Sequence, residues 1–177
     1  GEYGTFELSP DGQRLAVLKR PPSGLPELWI FDLARGTQER LHDAVYGLGN
    51  WSSDGRSLCV TAGGVGGARV GLGLRPGAVG VVDTLATERE STYGAVVESP
   101  DGRWSVYLNT DAGTITGPGG RSTSLPSLSG LSRFSPDGRW LAATFSEGGR
   151  SEVYICPVDD PNGRIRVSAT GGEEPRW

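Results

Sequence analysis

The chain has 177 residues, with 17 basic and 21 acidic side chains and a formal net charge of −4. That balance speaks against a nucleic-acid binder, which carries a basic face, and no run approaches the roughly 20 apolar residues that span a bilayer. The 29 glycines and 12 prolines make the composition turn-rich, while ordered apolar runs between the turns argue against disorder.

Taken in chain order, the first expected strand is Thr5-Phe6-Glu7-Leu8, and Ser9-Pro10-Asp11-Gly12 ends it. "RLAVLK" (14–19) and "ELWIFDL" (27–33) follow as short apolar strands rich in β-branched and aromatic residues. "ARGTQERL" (34–41) is a glycine turn and an outer strand. "YGLGNW" (46–51) opens a second unit, closed by Ser52-Ser53-Asp54-Gly55, with Ser53 where the first unit has proline. A third unit turns at Ser99-Pro100-Asp101-Gly102 and continues through "RWSVYLN", "GTITGP" and "GGRSTSLP". The fourth turns at Ser135-Pro136-Asp137-Gly138 and continues through "RWLAATF", "SEVYICPV" and "PNGRIRVSA". No segment has helical periodicity with caps.

Proline presets φ for a tight turn, the aspartate side chain bonds nearby amides, and glycine supplies the positive φ that leads into the next strand. The turn is therefore a hairpin device. Asp11, Gly12, Asp54, Gly55, Asp101, Gly102, Asp137 and Gly138 are read as structural rather than catalytic. The four aspartates lie 43, 47 and 36 residues apart, which is the period of four-stranded propeller blades. The expectation is an all-β fold, a β-propeller of four four-stranded antiparallel blades over about 5–42, 46–91, 95–126 and 129–170. "EEPRW" (173–177) matches "GLSRF" (130–134) and reads as the first strand of a fifth blade. That surplus strand, with a chain that holds no methionine, suggests part of a ring of about six to eight blades; a closed four-bladed ring is the alternative. An open arc would expose the faces of its end blades and self-associate through them.

These repeats resemble the TolB-type, WD40-like propeller repeats of bacteria. "FSPDGRWLA", "SEVYICPV" and "GGEEPRW" carry the likeness most strongly. The run from Glu152 to Trp177 is most similar to propellers attached to bacterial receptor-type serine/threonine kinases. "ELWIFDLARGTQERL" is similar both to those and to the propellers of prolyl-oligopeptidase-like peptidases. The resemblance implies a non-catalytic module for protein interaction or ligand sensing, periplasmic or otherwise extracytoplasmic, on a larger polypeptide. The rival it implies is a propeller that gates a serine hydrolase.

Candidate chemistry is sparse. His42, the only histidine, has no G-x-S-x-G elbow to serve and is expected in a surface loop. "GGVGGARVGLGLRPG" (63–77) lacks the phosphate-loop pattern and reads as a long connection between the second and third strands of its blade, holding an extra hairpin at most. That connection would carry Arg69 and Arg75 to the face opposite the Ser-Pro-Asp-Gly turns, where equivalent loops carry Asp111, Glu147 and Arg150. Loops on a rigid scaffold are where binding concentrates, so these five residues are the candidate site for a protein or peptide. Asn50-Trp51-Ser52 fits a glycosylation sequon but falls on an expected buried strand. Trp29, Trp51, Trp104 and Trp140 read as packing between blades. Asp159-Asp160 in a Pro-Asn-Gly turn falls short of the 6–8 oxygen ligands calcium takes. Cys59 and Cys156 read as unpaired core residues. No catalytic residue, metal or cofactor is expected.

Overall fold

The computed structural model describes residues 2–63, 69–77, 82–88, 96–108 and 112–177. Among the described residues, sixteen strands form four four-stranded sheets, each a meander in which every strand pairs with its sequence neighbours. The first sheet holds β1 (Glu2–Leu8), β2 (Arg14–Arg20), β3 (Glu27–Asp32) and β4 (Thr37–Asp43). The second holds β5 (Val45–Trp51), β6 (Leu58–Gly63), β7 (Arg69–Leu74) and β8 (Val82–Glu88). The third holds β9 (Val96–Glu98), β10 (Ser105–Leu108), β11 (Ala112–Thr116) and β12 (Ser122–Pro126). The fourth holds β13 (Leu128–Phe134), β14 (Trp140–Glu147), β15 (Arg150–Pro157) and the short β16 (Ile165–Arg166). The chain divides into two compact units, Gly1–Val96 and Val97–Trp177.

Each unit has its own core, built from the period-2 alternation of its strands. In the first, Ala16, Leu18, Leu28 and Ile30 of one sheet pack with Leu48, Leu58, Val60 and Leu72 of the next. In the second, Val106, Ile115 and Leu125 meet Leu141, Ala143 and Phe145. Phe145 and Tyr154 stack edge to face at 5.4 Å. Cys59 and Cys156 are free and buried, and burial pushes the Cys156 thiol up to about 11.

Two sequence expectations are corrected. Residues 69–74 are neither loop nor extra hairpin. They are β7, paired with β6 from Gly63↔Arg69 to Leu58↔Leu74. Val70, Leu72 and Leu74 alternate with Gly71 and Gly73, and Leu72 and Leu74 enter the core. Glycine at positions 71 and 73 disguises a strand whose other face carries two alternating glycines after Arg69. Arg75 therefore lies at the opposite end of β7 from Arg69, beside the Ser-Ser-Asp-Gly turn. His42 sits within β4, paired with Leu28, and its Nδ1 meets the Asp43 carbonyl; the outer strand runs on to Asp43 instead of ending before it.

Each unit turns a corner from one sheet to the next at a non-glycine residue of positive φ, Ala44 (56°) and Ser127 (65°). The Ala44 carbonyl accepts from Gly63 N and the Ser127 carbonyl from Ser146 N, each at 2.8 Å. Residues 173–177 are not strand, yet the Trp177 indole donates to the Arg133 carbonyl at 2.9 Å. In the first unit the Trp51 indole donates to the Glu7 carbonyl at 3.1 Å, across the same 44-residue separation.

Candidate functional site

The four turns superimpose bond for bond. Ser9 Oγ donates to Asp11 Oδ1 at 2.6 Å and accepts from Arg14 N at 2.9 Å, while Gln13 N donates to the same Asp11 oxygen at 3.0 Å. Ser52–Asp54, Ser99–Asp101 and Ser135–Asp137 repeat the serine-to-aspartate bond at 2.7, 2.6 and 2.6 Å. In each, the glycine N–H closes on the serine carbonyl at 2.8–2.9 Å. Gly12, Gly55, Gly102 and Gly138 have φ of 70°, 66°, 67° and 69°. Ser53 replaces proline without altering one of these bonds. The serine is the member that sequence reasoning overlooked, although its presence in all four turns was the available signal.

The serine hydroxyl and the backbone amide hold all four aspartate carboxyls below their ordinary 3.8. Because the folded value is depressed, the stabilisation is complete above the unfolded value and is lost as pH falls through the folded one. Glu27, held down by the Trp29 indole, and Glu152, held down by Ser168, act in the same direction from 4.5. Stability is therefore expected to fall steeply below about pH 4. The chain with all four turn aspartates changed to asparagine is expected to show a shallower acid slope in urea melts between pH 2 and 5; an identical slope would contradict this.

Each unit carries a groove beside its own turns. One, of about 500 Å³ in the first unit, runs between Asp11 and Arg14, the β3–β4 turn at Asp32 and Arg35, and Pro76-Gly77 after β7. Arg14 forms part of its wall, bonded to the Gly55 carbonyl at 2.6 Å and stacked 5.1 Å over Trp51. The other, of about 620 Å³ in the second unit, is bounded by Arg103-Trp104, Arg139-Trp140 and Pro157. Trp104 packs against the core, whereas Trp140 is 36% exposed and presents a ring to solvent, unlike the interior role the sequence suggested. Asp101 and Asp137 stand in the same wall as fixed negative charges beside Arg103 and Arg139.

The five candidate binding residues are not brought together as one set. Arg69 starts β7 and Arg75 follows its other end. Asp111 lies outside the described residues. Glu147 and Arg150 face one another across the β14–β15 turn, but the Glu147 carboxylate is held by Arg164 and accepts from the Tyr154 hydroxyl at 2.9 Å. The bond to Glu147 raises the Tyr154 hydroxyl above its ordinary 10.0. Arg164 in turn lies 4.5 Å over Phe145. Glu147 and Arg150 are both exposed, but Glu147 is engaged with Arg164 and Tyr154. Among the described residues no group of three or more histidine, cysteine, aspartate or glutamate side chains could hold a metal ion, and no helix is long and apolar enough to cross a membrane.

No family model matches the sequence, and no curated protein matches it. Solved structures do. TolB from Acinetobacter baumannii is similar over 96% of this chain and 44% of its own, with 22% identity and a TM-score of 0.76. A putative TolB from Agrobacterium tumefaciens is similar over 95% of this chain and 62% of its own, with 19% identity and a TM-score of 0.68. The β-propeller domain of the Trilobed protease from Pyrococcus furiosus is similar over 93% of this chain and 56% of its own, with 14% identity and a TM-score of 0.63. The chain spans less than two thirds of each of these proteins. At such identities the likeness concerns the fold, and the fold is that of a β-propeller fragment resembling TolB.

Proposed function

We propose that this chain is a non-catalytic propeller module that binds a protein or peptide, or senses a ligand, as the extracytoplasmic part of a larger bacterial protein. A receptor-type kinase or a TolB-like scaffold is the parent this reading favours. The observation that supports it most is where the chemical groups are spent. The turn aspartates serve their turns, Glu147 serves Arg164 and Tyr154, and Glu152 serves Ser168 and Gly171. The Trp140 groove offers an indole face, two arginines and the turn carboxylates, a combination that suits a peptide segment. The exposed Arg150 hairpin tip is the second surface this reading offers.

The test is a photo-crosslinking amino acid placed at Trp140, at Arg150 or at the exposed control Arg121, in the full-length protein within its own cells. A discrete adduct from Trp140 or Arg150 and none from Arg121 is expected. No adduct from either surface, or the same adducts from all three, would overturn the proposal. The alternative is a gating propeller of a prolyl-oligopeptidase-like hydrolase, which the likeness to a protease propeller domain keeps in view. A hydrolase domain with a G-x-S-x-G elbow on the same polypeptide would select it.

A further inference from the structure

The two units carry the same pair of turns with one side chain exchanged. In the first unit the glycine of the second turn stacks on the proline of the first, an added Cβ at Gly55 lying 3.7 Å from Pro10 Cδ. The second unit repeats the contact, with Gly138 to Pro100 Cδ at 3.7 Å. Gly55 and Gly138 are both buried, whereas Gly12 and Gly102 are exposed. The residue whose N–H bonds to the turn serine is Arg14 in the first turn and Trp104 in the third. The Arg14 guanidinium donates to the Gly55 carbonyl at 2.6 Å and lies 5.1 Å over the Trp51 ring. Trp104 makes no such bond. Its indole packs on Gly117, where an added Cβ would come within 2.3 Å of the ring. Among the described residues nothing bonds to the Gly138 carbonyl.

A backbone carbonyl in a buried residue ordinarily has a partner. Gly138 lines the groove of about 620 Å³ in this unit, a volume within the range of ligand sites. Trp104 and Trp140 stand in the same wall, with the carboxylates of Asp101, Asp137 and Asp159 against the guanidiniums of Arg103 and Arg139. The Arg139 side chain is 81% exposed, so its charge is solvated. The groove thus offers what surrounds Arg14 in the first unit, a turn glycine carbonyl beside an indole. It adds an excess of negative charge, and it has Trp104 where the first unit has the arginine.

We infer that the ligand of this groove is a peptide bearing an arginine, whose guanidinium donates to the Gly138 carbonyl and lies against the indoles, as Arg14 does against Gly55 and Trp51. The inference rests on the reading of the Trp140 groove as a peptide site and names the side chain that the site selects. Arginine fits better than lysine, because a planar guanidinium stacks on a ring while its edge donates a hydrogen bond. Asp159, exposed and outside the turn circuits, adds attraction from the rim of the groove.

The test is a two-dimensional NMR titration of the intact chain with the capped peptide Gly-Ser-Arg-Ser-Gly at millimolar concentration, beside the same peptide with lysine or glutamine at its centre. The arginine peptide is expected to shift the Gly138 amide and the Trp104 indole. The glutamine peptide is expected to bind roughly tenfold more weakly, as the loss of a hydrogen bond from a charged donor implies, with the lysine peptide between them. Asp159→Lys is expected to weaken the arginine peptide roughly threefold, as a surface charge pair does. Arg14→Gln uncovers the Gly55 carbonyl and is expected to create a second site, seen as shifts of the Gly55 amide and Trp51 indole that the intact chain does not show. Both variants are checked for a native circular-dichroism melt, and the peptide comparison on the intact chain stands without them. Equal binding of the three peptides would overturn the inference, as would an arginine peptide that leaves Gly138 unshifted or an Arg14→Gln chain with no second site. The photo-crosslink at Trp140 reports separately on the peptide reading, which survives if the adduct forms while the peptides go undistinguished.

Discussion

Phe145→Ala is expected to lower the stability of the second unit by about 3–5 kcal/mol, the range for removing a fully buried aromatic side chain. Phe145 is 0% exposed. It packs with Leu141 and Ala143 in the core, meets the edge of Tyr154 and carries the Arg164 guanidinium on its face. Truncation removes the transfer energy, opens a cavity between sheets, and leaves the Arg164–Glu147–Tyr154 group without its floor. Against a typical total of about 5–15 kcal/mol, this would leave the unit close to unfolding at room temperature. Urea titration followed by circular dichroism measures it. Phe145→Leu, which keeps most of the volume, should cost under about 1.5 kcal/mol. A loss below about 1 kcal/mol for the alanine variant would mean that the neighbouring side chains collapse into the space, contrary to a core packed at the density of protein interiors.

Gly138→Val carries the second large effect. Gly138 has φ of 69°, and an L-residue there pays about 1–2 kcal/mol, with a β-branched side chain at the upper end. The space around an added Cβ is adequate, with Pro100 Cδ at 3.7 Å and Asp101 at 3.8 Å, so the loss is conformational rather than a clash. That distinction is testable, because Gly12 occupies the same conformation with nothing within 4 Å of its Cβ. Gly12→Val and Gly138→Val should therefore cost about the same, roughly 2 kcal/mol each, and Gly138→Asn should cost less because asparagine tolerates this region. An unchanged melting temperature for both valine variants would contradict the turn as described.

The blades were legible in the sequence because Ser-Pro-Asp-Gly combines three conformational demands in four residues and recurs at one spacing. The alternation of Leu141, Ala143 and Phe145 with Ala142 and Thr144 likewise states which face is packed. What was not legible has physical causes. β7 is hard to read because Gly71 and Gly73 look like turn residues, and only the pairing with β6 shows that they belong to a strand. The corners at Ala44 and Ser127 adopt positive φ with residues that do not advertise it, since the hydrogen bonds from Gly63 and Ser146 impose the conformation from outside. The candidate site suffered most. Read as part of a loop, Arg75 falls at the wrong end of its blade. The engagement of Glu147 with Arg164, seventeen residues away, has no local signature. Trp140 reads as a packing residue because tryptophan is highly buried on average.

The six-residue circuit of each turn, serine to aspartate to amide and back to serine, closes without help from any other part of the chain. Every strand of a sheet then pairs with the strand next to it in sequence. The hairpin at each circuit is thus a local nucleus, formed across a short loop at small entropic cost, and a blade can assemble before its neighbours exist. A protein built this way grows by copying one segment of about forty residues, and the copies may drift, as Ser53 and the glycine-rich β7 have, provided the serine, aspartate and glycine that start each nucleus persist.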